Sequence, residues 1–244
     1  MKIKKIEKLT KEKHLNYYKI HYVINGKENV WTLASRRSEE ELECAVRTGK
    51  VDTISIIPQF TKDDENYVLM QFDSRPAVGQ TCLSFCAGTV EHNEVAVVSA
   101  KREMLEELGI PDKSIISYSQ LNTLPAFKSA GMTDESCIFF TFEFDYEKIE
   151  RQHLEETEGI KRVPVKIKDL PKLITKQVME LPALLAARDV YHTWESNTQR
   201  KLTEALLDET LTEKQHANAV KNLHVFHKLM DKNAKLLNNK QTLI

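Results

Sequence analysis

The sequence predicts an α/β protein that ends in a helical extension. Three observations carry that reading. Short runs rich in aromatic and β-branched residues, bounded by turn residues, recur between Asn16 and Ile167. One acidic, amphipathic helix is set among them, within the stretch Gly88 to Ile110. From about Leu181 onward the strand pattern stops and apolar residues repeat at helical spacing.

The chain has 244 residues, enough for one domain with an extension or for two small domains. It divides into a hairpin and short helix over residues 1–50, an α/β domain over 51–175 and a helical extension over 176–244. Lys and Arg number 35 against 36 Asp and Glu, so the near-neutral balance leaves no footprint for nucleic acid. No apolar run approaches the ~18 residues of a membrane span, so no membrane partner is expected. The basic N-terminus lacks the apolar segment of a secretory signal. The four cysteines, Cys44, Cys82, Cys86 and Cys137, form no CxxC pair. Cys82 and Cys86 read as lying four residues apart on one strand, too distant for a disulfide. All four read as reduced thiols in a cytoplasmic protein.

In chain order, Asn16 to Leu33 reads as a β-hairpin around Asn25-Gly26. Ser38 to Lys50 reads as a short charged helix capped by Ser38. Thr53 to Pro58, Tyr67 to Phe72 and Thr81 to Phe85 are strands. Beyond the acidic helix come Ile115 to Leu121 and Ser136 to Phe144, the second with clear alternation. An acidic loop, His153 to Gly159, precedes the strand Ile160 to Ile167 and a helix starting at Asp169. In the tail, Leu184, Ala187, Tyr191 and Trp194 mark one helical face. Thr212 and Gln215 form a capping box, and Ala217, Val220, Leu223, Phe226, Met230, Ala234 and Leu237 mark the next helix. His224 and His227 lack a third ligand and read as a surface pair.

The acidic helix carries the chemistry. Glu103, Glu106 and Glu107 stand at i, i+3 and i+4, so a helix stacks them on one face, where they repel one another. A hard divalent cation relieves that repulsion and prefers carboxylate and phosphate oxygen. Ala96, Val97, Ala100, Met104 and Leu108 occupy a separate arc suited to burial, and Gly109 ends the helix.

Gly88, Glu94, Arg102-Glu103-Met104, Glu106-Glu107 and Gly109-Ile110 fill every specified position of the pattern Gx5Ex7REUxEExGU, where U is a bulky aliphatic residue. The stretch thus resembles the Nudix hydrolases, which cleave diphosphates linked to another moiety with a divalent metal. The resemblance implies an α/β/α sandwich with a mixed sheet. It assigns Glu103, Glu106, Glu107 and the main-chain carbonyl of Ala87 to Mg2+, or to Mn2+ in its place, and Arg102 to orienting the carboxylates with Glu94.

Flanking residues are similar to the ADP-ribose pyrophosphatase branch. Gln71-Phe72 and Arg75-Pro76-Ala77-Val78-Gly79 resemble its QxR-P-x-x-G pattern, with Asp73-Ser74 inserted. Ser84 to Gly88 resembles E-x-P-A-G, with Ser84 and Cys86 replacing glutamate and proline. Pro125, the Ser129 to Glu135 loop and the Glu155 to Ile160 loop complete the likeness. It implies substrate contacts from Arg75, Trp31, Pro125 and Glu135, and a homodimer built through the N-terminal hairpin. Trp31 reads equally as strand packing or as an adenine stacker. The resemblance implies a general base from the loop outside the box, Glu156 first, with Glu158 as base or extra ligand; Glu103, as in other branches, and Glu135 are alternatives. The expected reaction is hydrolysis of ADP-ribose or a related nucleoside-diphosphate sugar. Action on a triphosphate or dinucleotide, or nucleotide binding without cleavage, are the rivals.

Overall fold

A computed structural model describes residues 1–47, 49–156, 158–208 and 210–238. The elements run β1 (Lys2–Lys8), β2 (Asn16–Ile24), β3 (Lys27–Ser35), α1 (Glu43–Val46), β4 (Thr53–Lys62), β5 (Glu65–Arg75), β6 (Gln80–Ser84), β7 (Cys86–Thr89) and α2 (Ala96–Leu108). They continue with β8 (Ile115–Gln120), β9 (Ala126–Phe127), β10 (Ser136–Phe144), β11 (Lys161–Lys166), α3 (Leu170–Ile174), α4 (Leu181–Leu207) and α5 (Glu213–Asn238). The class is α/β with C-terminal helices, as the sequence predicts. The chain forms two compact units: Met1–Pro58 with Cys86–His153, and Gln59–Phe85 with Leu154–Ile244.

In the first unit, β1, β2 and β3 make an antiparallel sheet. Asn25 and Gly26 both take positive φ, 52° and 75°, the conformation a two-residue hairpin turn demands. Strand β1 is absent from the sequence reading. A register shift between Ile3 and Lys5 breaks the period-2 pattern that would have announced it. Tyr18, Ile20, Leu33 and Leu42 form a core cluster under this sheet, with Ile3, Ile6 and Cys44 packed against it. The helix expected over Ser38 to Lys50 is shorter than predicted. A 3-10 turn over Glu39–Glu41, closed by a Ser38–Glu41 capping box, gives way to the single turn of α1, which ends at Arg47 in the left-handed region.

The first-unit portion of β4 lies beside β10 and pairs antiparallel with β7, Ile56 facing Cys86. β10 also pairs with β8, and Tyr118 stacks on Phe142 at 5.4 Å. Ala100, Met104 and Leu108 of α2 are fully buried, as the helical arc predicts. Each of the two larger side chains contributes roughly 1.5–3 kcal/mol by leaving water.

This unit also buries an ion pair that the sequence did not announce. Arg37, only 5% exposed, donates from Nε and Nη2 to the two carboxylate oxygens of Asp52 at 2.9 and 2.8 Å. Its Nη1 reaches Glu43 at 2.7 Å and its Nη2 the carbonyl of Lys50 at 3.0 Å. Asp52 further accepts from the backbone N–H of Ser136 at 2.9 Å. Burial disfavours the Asp52 charge, but the Arg37 and Ser136 donors outweigh it and hold the carboxyl below its usual range.

In the second unit, β5 pairs with the last four residues of β4, with β6 and with β11, all antiparallel. Cys82 and Cys86 do not share a strand: β6 ends at Ser84 and β7 begins at Cys86. All four cysteines are free. The tail folds as two long helices. Thr212 and Gln215 make the capping box, with Gln215 Oε1 accepting from the Thr212 N–H at 2.9 Å. The predicted α5 stripe holds in part: Phe226 is buried and Leu223, Met230 and Leu237 partly so, whereas Ala217, Val220 and Ala234 face outward and Ala219 and Asn233 are buried instead. Asn233 is accommodated because its amide donates to the Lys168 carbonyl and the Tyr191 hydroxyl, both at 3.1 Å. Trp194 meets Phe226 edge-on at 6.0 Å. Among the described residues, no helix is long and apolar enough to cross a membrane.

Candidate active site

Helix α2 is positioned at both ends. At its start, Glu94 accepts from Ser99 Oγ at 2.6 Å and from the Glu91 N–H at 3.3 Å. At its end, Gly109 adopts φ 66°, and the N–H groups of Gly109 and Ile110 close on the carbonyls of Leu105 and Met104. The following segment returns to the same terminus. Glu150 N–H reaches the Gly109 carbonyl at 2.7 Å, Gln152 Nε2 the Glu107 carbonyl at 2.5 Å and His153 N–H the Glu106 carbonyl at 2.8 Å. Helix-end carbonyls otherwise left without partners are thereby satisfied. Nothing in the sequence announced these contacts.

Arg102 gathers the acidic face. Its Nη1 donates to Glu103 at 2.8 Å and to Glu106 at 3.0 Å; its Nε and Nη2 reach Glu94 at 3.3 and 3.2 Å, and Nη2 also reaches the Thr89 carbonyl. Arg102 holds the Glu94 carboxyl below its ordinary range, and Ser99 adds to the effect. Glu107 is buried, at 7% exposure, beside the Cys86 thiol. Burial pushes that thiol well above its usual value, and the Glu107, Glu103 and Glu106 charges push it further.

Gly88 has a specific steric reason. A Cβ built there would stand 2.1 Å from the Glu103 carboxyl carbon, so the glycine leaves the space that this carboxylate occupies. The donors, three carboxylates on one helix face and the Ala87 carbonyl of β7, are of the hard-oxygen type that suits a divalent cation. Among the described residues, no three such side chains already converge on one point; Arg102 engages one oxygen of Glu103 and one of Glu106. Gly88→Ala should displace the Glu103 carboxylate, which can swing away, rather than unfold the chain. The expected result is at least a tenfold loss of metal-dependent turnover with a melting temperature within a few degrees of wild type. Kinetics and thermal melts on the same sample check it.

The other predicted residues fall as follows. Trp31, on β3, is half exposed and lines a cavity of ≈ 330 Å³ with Met1, Tyr22, Cys44 and Asp134. Pro125 is partly buried in the loop before β9. Glu135 pairs with Lys128 at 2.8 Å. In the second unit, Arg75 is engaged by Asp73 at 2.8 Å and by Glu180. Burial raises the Asp73 carboxyl against the pull of Arg75. Glu156 is exposed at a turn; Glu158 is exposed and its carboxylate accepts from the Glu155 N–H at 3.0 Å.

The profile of the NUDIX domain matches residues 49–181, more than half of the chain. The chain belongs to the Nudix hydrolase family. A Nudix hydrolase of Schizosaccharomyces pombe, itself uncharacterized, is 28% identical over 59% of this chain and 67% of its own length. The ADP-ribose pyrophosphatase of Saccharomyces cerevisiae is 30% identical over 62% of this chain and 63% of its own length. The ADP-sugar pyrophosphatase of Mus musculus is 33% identical over 42% and 45%. The match thus spans about two thirds or less of these relatives. A solved structure described as an ADP compounds hydrolase superposes with a TM-score of 0.60, covering 80% of this Nudix chain and 94% of its own; at 14% identity it shows the fold alone.

Proposed function

We propose that this Nudix hydrolase cleaves the diphosphate of ADP-ribose, or of a closely related nucleoside-diphosphate sugar, to a nucleoside monophosphate and a sugar phosphate. The observation that carries the proposal is the Glu103, Glu106 and Glu107 ridge, with Gly88 vacated beside Glu103 and Arg102 bonded across it. The names of the yeast and mouse relatives support the substrate class.

Glu103, Glu106, Glu107 and the Ala87 carbonyl would hold the cation, Mg2+ or Mn2+, which would supply charge neutralisation at the phosphoryl oxygens and a more acidic water. Arg102 offsets the mutual repulsion of Glu103 and Glu106 and fixes their orientation through its bonds to both and to Glu94. The proton of the attacking water goes to Glu156, with Glu158, then Glu103 and last Glu135 as alternatives. Arg75, Pro125 and Glu135 contact the substrate, and Trp31 offers its exposed ring to adenine. The protein acts in the cytoplasm as a homodimer formed through the N-terminal sheet.

The test is a panel of nucleoside-diphosphate sugars, nucleoside triphosphates and dinucleotides with Mg2+ or Mn2+ and product identification. AMP with ribose 5-phosphate from ADP-ribose supports the reading. Pyrophosphate release from triphosphates, or nucleotide bound and uncleaved, replaces it.

A further inference from the structure

Helix α5 carries lysines at 214, 221, 228 and 235, spaced every seven residues, with Lys232 on the same face. At 100° per residue they fall on the arc opposite Ala219, Phe226 and Asn233, the face by which α5 is buried. All five are exposed, and among the described residues none is in an ion pair. The row is about 31 Å long at 1.5 Å per residue. The acids of the described helix, Glu213 and Asp231, lie at the edge of this arc, and Asp231 shares a surface patch with Lys228, Lys232 and Lys235. Helix α4, by contrast, carries an i,i+4 pair between Arg200 and Glu204.

We infer that this face of α5 docks on an anionic lipid surface. Five exposed lysines along one face, outnumbering the single acid in their patch, complement an extended negative plane, and each lysine near such a surface adds to the attraction. Nucleic acid is the less suited polyanion. The line has no arginine fork to grip phosphates and no Phe, Tyr or Trp on which bases could stack. Exposed Val225 lies within the row and gives it an apolar contact at the headgroup boundary. The expectation of no membrane partner rests on the lack of a spanning segment, and surface docking needs none.

The test is cosedimentation of the full chain with vesicles of phosphatidylcholine, with and without phosphatidylserine, at low and high salt. The variant replaces Lys214, Lys221, Lys228, Lys232 and Lys235 with Gln, which keeps helix propensity while removing charge. Wild type should bind only the phosphatidylserine vesicles and be released by salt. The variant should bind them at least tenfold more weakly, with an unchanged melting temperature and unchanged hydrolysis of soluble substrate. Three results overturn the inference: no vesicle binding by wild type at low salt, equal binding by the variant, or tighter lysine-dependent binding to duplex RNA than to the vesicles.

Discussion

Glu107→Gln should abolish most activity while leaving the fold intact. The replacement keeps the size of a buried side chain and removes its charge. A cation contributes several kcal/mol of transition-state stabilisation, so loss of one anionic ligand should lower turnover about 100-fold or more. Stability should move the other way or not at all without metal, because a buried negative charge among Glu103 and Glu106 is a cost. Metal should raise the melting temperature of wild type and do so less for the variant. Turnover, and melts with and without Mg2+, separate this outcome from simple misfolding. Unchanged turnover removes Glu107 from the metal set.

Asp52→Ala should destabilise the chain by about 3–5 kcal/mol, since it leaves Arg37 charged, buried and stripped of its bidentate partner. The pair also predicts a pH dependence. The Asp52 carboxyl is held low in the folded state, so its contribution is fully present above the unfolded Asp value and is lost as pH falls through the depressed folded value. Urea titrations across that range should show a steeper acid loss for wild type than for Asp52→Ala. Arg37→Met with Asp52→Leu should be less destabilised than either single change, because the buried Arg37 and Asp52 charges are removed together and the partly exposed Glu43 keeps access to water.

The acidic helix was legible in the sequence because its meaning lies in local spacing. Glu103, Glu106 and Glu107 share a face by helical geometry alone, and Gly109 caps where a left-handed residue is needed. The hairpin turn and the alternation of β10 are local in the same way. The Arg37–Asp52–Ser136 network was not legible, because its members are brought together by the fold across 15 to 99 residues. The Gly88–Glu103 fit was likewise hidden, since the motif names both residues but not the space one leaves for the other. Asn233 was missed because a polar residue inside an apolar stripe is recognised only once its partners, Tyr191 and Lys168, are seen.

Phosphorus NMR of ADP-ribose incubated with the full chain and Mg2+ tests the central claim most directly. The diphosphate signals should disappear, two phosphomonoester signals of equal intensity should replace them, and chelation of the metal should stop the change. Diphosphate signals that persist under those conditions, with the protein folded and Mg2+ present, contradict it.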